Sequence, residues 1–201
     1  MTFHKHTLAC CVLALLLVGC GSSPRNNYYV LSAETQAPSG NQEPSLGIGP
    51  VEIPEYLNRN SLVYRDGSNQ LLIASFERWA EPLADGIQRV LGLNLSAELG
   101  TQNIRPHPWP RDDNPGYAIA LWILSLDVSG QQAELVAEWR VSRPGESSSL
   151  ARRITRLSRK LPAADWQGDD AAAAYSLLLQ SLSAEIATVI RDAEADATAT
   201  N

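Results

Sequence analysis

The sequence predicts a single α+β domain: a mainly antiparallel sheet with two main helices packed on it. Three observations lead there. Strand-length apolar runs recur between turn signals at 28–31, 46–53, 61–65, 70–76, 117–128, 134–141 and 152–161. Two other stretches carry apolar residues at helical spacing instead. The resulting order places strands in runs before each helix, which suits hairpins better than alternating strand–helix–strand units.

Each element has its own signal. Tyr28-Tyr29-Val30-Leu31 reads as a first strand, and 33–45, rich in Pro, Gly, Gln and Ser, reads as a loop. In the second strand, 46–53, the glycines of Gly47-Ile48-Gly49 allow a bulge. Residues 61–65 and 70–76 form a hairpin, because Asp66-Gly67 is a turn signal. Pro82 opens a helix, Leu83, Ile87, Val90, Leu91 and Leu95 make its apolar stripe, and Gly100 is placed to end it. Residues 105–115 hold Pro106, Pro108, Pro110 and Pro115 and form a loop or an edge segment.

The second half of the chain continues the pattern. The run 117–128 is apolar enough to be covered on both faces, with Gly130 in the following turn. From 134 to 141 the sequence alternates: Leu135, Ala137, Trp139 and Val141 face inward, while Glu134, Glu138 and Arg140 face outward. A turn at 145–149 leads to a basic strand at 152–161. Asp169 and Asp170 start the last helix, where acids favour the positive end of the dipole. Its buried face is Tyr175, Leu178, Leu179, Leu182, Ile186, Val189 and Ile190. From Ala193 the composition turns to Ala, Asp and Thr, and 193–201 is expected to be a flexible tail.

The N-terminal segment is of a different kind. Lys5, with His4 and His6, precedes an apolar or small run from Leu8 to Gly19, too short for a spanning helix, which needs roughly 20 apolar residues. A basic start and a short apolar core make a secretory signal at 1–19. Leu17-Val18-Gly19-Cys20 is a lipobox, so Cys20 is the expected site of lipid attachment, and 20–27 is a short tether. Gly21 after it favours the outer membrane over the inner. The domain proper then covers 28–192 and faces the periplasm. Cys10 and Cys11 leave with the signal, and the thiol of Cys20 is taken by lipid, so neither a disulfide nor a thiolate metal site is expected.

Removing 1–19 deletes Lys5, so Lys plus Arg falls from 16 to 15 against 22 acids, a mature charge of −7. That balance argues against nucleic-acid binding. No catalytic set assembles. His107 is the single histidine of the mature chain and lies between prolines, as a solvated loop residue would. Asp112-Asp113 reads as a turn pair before Asn114-Pro115 rather than a cation site. Gly145-Glu146-Ser147-Ser148-Ser149 lacks the closing glycine of a nucleophile elbow. Gly47-Ile48-Gly49 lacks the third glycine and following helix of a phosphate loop. No cofactor and no metal are expected. The arginines at 140, 143, 152, 153, 156 and 159, with Lys160, offer two readings: a docking face, or the charged wet side of an edge that resists strand-to-strand aggregation. Trp122 and Trp139 read as sheet core, and Trp79 as a plug at the helix entrance.

The segments Pro54-Glu55-Tyr56-Leu57-Asn58-Arg59, Leu62-Val63-Tyr64-Arg65 and Arg78-Trp79-Ala80-Glu81-Pro82-Leu83 together resemble the paraquat-inducible protein C family, the ABC-type transport auxiliary lipoproteins. The strand at 28–31 and the helix at 175–190 resemble that family's ends. The resemblance implies an envelope lipoprotein that works with an MCE-domain (mammalian cell entry) protein and an ABC transporter complex to move lipid between membranes and maintain their integrity. It implies no catalytic residues; Arg78, Trp79, Glu81, Pro82 and Leu83 are its signature here. It leaves a homo-oligomer open. The competing reading is an envelope interaction lipoprotein that regulates peptidoglycan synthesis or lipopolysaccharide assembly; the short tether disfavours the peptidoglycan version. A periplasmic hydrolase would need a catalytic group the sequence does not supply.

Overall fold

The computed structural model describes residues 25–33, 40–67, 69–110 and 112–199. The signal at 1–19, Cys20 and the tether through 24, the loop centre at 34–39 and the tail end at 200–201 lie outside the described residues.

Among the described residues the fold is α+β: one eight-stranded sheet and two long helices. Its strands are β1 (Asn27–Tyr29), β2 (Leu46–Glu52), β3 (Ser61–Asp66), β4 (Gln70–Trp79), β5 (Ile104–Pro106), β6 (Tyr117–Ser129), β7 (Gln132–Ser142) and β8 (Ser149–Lys160). Helix α1 (Leu83–Leu99) follows β4, helix α2 (Gly168–Ala199) follows β8, and a 3-10 turn at Glu55–Leu57 lies between β2 and β3.

The sheet is mixed: its longest ladders are antiparallel, as expected, but parallel pairings join them. β3–β4, β6–β7 and β7–β8 are antiparallel, as their short turns require, but β1 runs parallel to β4 and β2 runs parallel to both β5 and β6. The reason is topological. β2 is separated from β6 by a hairpin and α1, a connection long enough to return the chain in the same direction. The sheet also forks at β6. One edge of β6 pairs with β7; the other pairs with β2 along residues 117–122 and with β3 only at Arg65↔Ser129. At that junction Arg65 Nη2 donates to Asp127 Oδ2 at 2.8 Å, and Asp127 is buried.

Both helices cover the same face. Ile48 lies against α1 at Gly92, and Trp139 Nε1 donates at 3.0 Å to Thr155 Oγ1, whose hydroxyl donates to Glu185 of α2 at 2.9 Å. The alternating strand buries Ala133, Leu135, Ala137, Trp139 and Val141 as its pattern predicts. The α1 stripe from Leu83 to Leu95 is buried in full, and Gly100 ends the helix at φ 67° in the left-handed cap. In α2 every expected core residue is buried except Val189, which is half-buried. By length and composition α2 is long enough to cross a membrane, but more than half of its apolar window is packed inside the domain. Where the sequence reads as tail, α2 continues to Ala199, and Glu194 takes a bond from the Tyr117 hydroxyl while Arg143 reaches Ala193 O at 3.3 Å.

The other face of the sheet is open. This corrects the reading of 117–128 as covered on both faces and of Trp122 as core. Trp122 is half-buried, clamped between the guanidinium groups of Arg140 and Arg152, each 5.7 Å from the ring centre. Leu124 beyond it is exposed. The basic stretch is not one patch. Arg152 pairs with Glu138 at 2.5 Å and Arg156 with Glu134 at 2.6 Å on the open face, while Arg153 lies over Trp139 on the helix side. Charges dispersed this way along a long edge strand fit the anti-aggregation reading.

Candidate functional site

The segment Arg78-Trp79-Ala80-Glu81-Pro82-Leu83 forms the corner where β4 ends and α1 begins. Arg78 bonds three chain segments: Ser61 Oγ at 3.1 Å, Ser75 O at 3.2 Å and Asn26 Oδ1 at 3.3 Å. Trp79 is 6% exposed, its ring 6.3 Å from that of Tyr175 on α2. Ala80 N–H donates to Tyr29 O at 2.9 Å, so β1 is held to the corner from its far end. Glu81 pairs with Arg89 one helical face onward, and Arg89 Nη2 also donates to Leu31 O at 2.9 Å. Pro82 stands at the N-cap with no donor to lose, and Leu83 is buried below it. Between them, the residues of this corner link β1, β4, α1 and α2, and Trp79 plugs the helix entrance as expected.

The corner aims α1 at the short edge strand β5. Between them runs an open cavity of about 480 Å³. Ile48, Leu93, Ile104 and Pro106 supply its apolar surface, and Gln88, Arg89, Ser96 and Gln102 stand around it. Gln88 bridges one end, donating to Ile48 O at 2.7 Å and His107 O at 3.3 Å. Gly49 beside it has φ 116°, and a Cβ there would lie 2.7 Å from the His107 Cβ. Glycine is thus required on two counts, and the register of β2 shifts between Ile48 and Val51, the bulge its glycines suggest. Sequence reasoning missed this groove. Its signal was Leu93, 46% exposed and off the helix stripe, together with Ile104 just before the proline-rich run.

The residues weighed for chemistry stay apart. His107 packs edge-on against Trp109 at 5.2 Å between ring centres. Asp113 pairs with Arg105 at 2.5 Å and so closes its loop. Gly47-Ile48-Gly49 lies in a bulged strand, not at a helix N-terminus. No group of three or more His, Cys, Asp or Glu gathers among the described residues. Cys20 lies outside the described residues. The arrangement that is present suits binding: an apolar trough with a hydrogen-bonding rim.

A model of the ABC-type transport auxiliary lipoprotein component family matches residues 29–187, from β1 through most of α2. The chain belongs to that family. Its resemblance at 54–59, 62–65 and 78–83 is therefore real, and the family is one of transport auxiliary lipoproteins rather than of enzymes. The intermembrane transport lipoprotein PqiC of Escherichia coli is 35% identical over 92 residues, a match that covers 44% of this chain and 49% of that relative. The Shigella flexneri protein of the same name matches equally. The match thus spans about half the length of these curated relatives. Among crystal structures, a Xanthomonas campestris protein superposes with TM-score 0.67 at 15% identity, covering 85% of this chain and 98% of that one. An uncharacterised protein superposes with TM-score 0.66 at 21% identity, covering 83% and 99%. Both share the family's fold.

Proposed function

We propose that this chain is an outer-membrane lipoprotein, anchored through Cys20 and facing the periplasm, that serves as accessory subunit of an MCE-type intermembrane lipid transport system and so supports membrane integrity. The observation that carries this reading is the family match across residues 29–187, which takes in the corner, the groove and both helices. The name of the curated relatives, intermembrane transport lipoprotein, points the same way. The physical logic is that a lipid crossing the periplasm must keep its chains from water, at about 0.8 kcal/mol for each exposed methylene. A domain tethered to one membrane shortens the exposed path by docking the far end of a tunnel made by its MCE-domain partner. The tether raises the local concentration, so the contact itself need not be tight.

Photo-crosslinkers placed at Leu93 and Gln102 on the groove, and at Ile154 on the open face, test the partner. The expected product in intact cells is a crosslink to an MCE-domain protein. Absence of that product from every position, while a control crosslink forms, refutes the accessory role. Cys20→Ala separately tests the anchor: the variant is expected to fold, to fractionate as a soluble protein and to lose function. A fully active soluble variant would show the anchor to be dispensable.

A further inference from the structure

The face and edge of the sheet nearest the tether carry an apolar patch that the corner, the groove and the core do not use. Tyr28, Val30, Leu72, Ile73 and Phe76 are each between 44% and 63% exposed. β1 pairs with β4 only at residues 77–79, so among the described residues no strand lies beside the outer edge of β4 from Gln70 to Phe76. Leu72 and Ile73 are neighbours on a strand and point to opposite faces, yet both are about half exposed. This end of the β3–β4 hairpin therefore shows exposed apolar side chains on both faces, although Leu71 and Ala74 on either side of them are partly packed against the core. Tyr28 pairs with Arg78, and Phe76 lies two residues earlier on β4, in the stretch where the β3–β4 register shifts.

What lies opposite this patch follows from where the chain enters. Going back from Asn27, the chain leaves β1 alongside β4, toward its Gln70 end, because the two strands are parallel. The entry point is fixed: Asn27 Nδ2 donates to Glu77 at 2.9 Å and Arg78 Nε to Asn26 at 3.3 Å. Cys20 stands seven residues before Asn27, and a chain spans at most about 3.6 Å per residue, so the lipid lies within about 25 Å of β1 whatever path is taken. The stretch of β4 from Gln70 to Phe76 is itself about 20 Å long at roughly 3.3 Å per residue.

We propose that this patch rests on the phospholipid bilayer that holds the anchor. The inference rests on the Cys20 reading and adds a second contact, which fixes the domain's orientation. Tyrosine and phenylalanine at the headgroup level, with aliphatic side chains beside them, suit the membrane interface. The outer edge of β4 limits the depth. N–H and C=O groups with no strand partner among the described residues keep to the hydrated headgroup layer, because hydrocarbon leaves such groups unsatisfied. The mature charge of −7 makes the contact hydrophobic rather than electrostatic, so zwitterionic lipid suffices.

The mature chain has one cysteine, which the lipid occupies, so an introduced cysteine can carry a single label. The full lipidated protein, labelled with an environment-sensitive dye through Ile73→Cys, Phe76→Cys or, as a distant control, Ile154→Cys, is reconstituted into phosphatidylcholine vesicles with and without nitroxide-bearing lipid. All three positions are surface sites, so folding is expected to survive. The expected result is a blue-shifted emission that loses most of its intensity to the nitroxide at 73 and 76, and water-like, unquenched emission at 154. A water-like signal at 73 and 76, or stronger quenching at 154, overturns the proposal. Intact mass separates the two levels. A lipidated mass with water-like labels overturns the patch contact alone, whereas an unmodified thiol overturns the anchor and the patch contact together.

Discussion

Truncating Trp79 decides whether the family signature is a structural corner or a docking surface. A buried tryptophan removes roughly 150–250 Å² from water, which at about 25 cal/mol per Å² amounts to about 4–6 kcal/mol. Trp79 is 6% exposed, so nearly all of that applies, and relaxation around the remaining Cβ brings the expected cost of Trp79→Ala to about 3–5 kcal/mol. A domain of this size holds about 5–15 kcal/mol in all, so the variant is left marginal. Trp79→Phe keeps a ring against Tyr175 and is expected to lose less. Urea unfolding of the purified mature protein, followed by circular dichroism, gives both values; the four remaining tryptophans provide a second probe. A lower midpoint with an unchanged slope supports the corner. An unchanged midpoint in Trp79→Ala, together with loss of the partner crosslink, would refute it and make Trp79 a contact residue.

Three further outcomes are expected. The Tyr175 hydroxyl is buried with no hydrogen-bond partner among the described residues, so Tyr175→Phe should raise stability by about 1 kcal/mol in urea melts, and a lowered midpoint would show that the hydroxyl is satisfied. Gly49→Ala should cost more than about 1 kcal/mol, because the backbone is left-handed and the Cβ meets His107; a neutral melt would disprove the tightness of that contact. Burial, and after it the bond to Glu77, pushes the Tyr29 phenol up to about 12. The neutral form is thus favoured on folding, so this contribution is complete below pH 10 and lost as pH rises from 10 to 12. Melts at pH 9 and pH 11 should differ less in Tyr29→Phe than in the parent, and an equal difference would rule Tyr29 out as a source.

Much of this was legible in the sequence, for reasons that mark where legibility stops. Helix α1 was readable at both ends and along its face because Pro82, the stripe and Gly100 are local signals, each acting within one turn. The alternation of β7 was readable because burial on one face imposes a period of two. Strand partners were not, since periodicity says which side of a strand is wet and not which strand lies beside it. The parallel β2–β6 pairing follows from where α1 returns the chain, a long-range fact. Trp122 was misread for a related reason: its neighbours Arg140 and Arg152 come from two other strands, and a clamped ring on an open face has the same sequence signature as a core ring. The groove was hidden because the strand that closes it opposite α1 is β5, a three-residue strand inside a proline-rich run.

The way β1 is mounted also has a mechanical meaning. A pull arriving from the N-terminal side runs along the axis of β1, parallel to β4, rather than across the pair. Such a load falls in shear on the β1–β4 ladder, on Asn27–Glu77 and on Arg78–Asn26 at the same time, where a crosswise load would open them one after another. A strand of only three residues can therefore resist extraction well beyond what its length suggests.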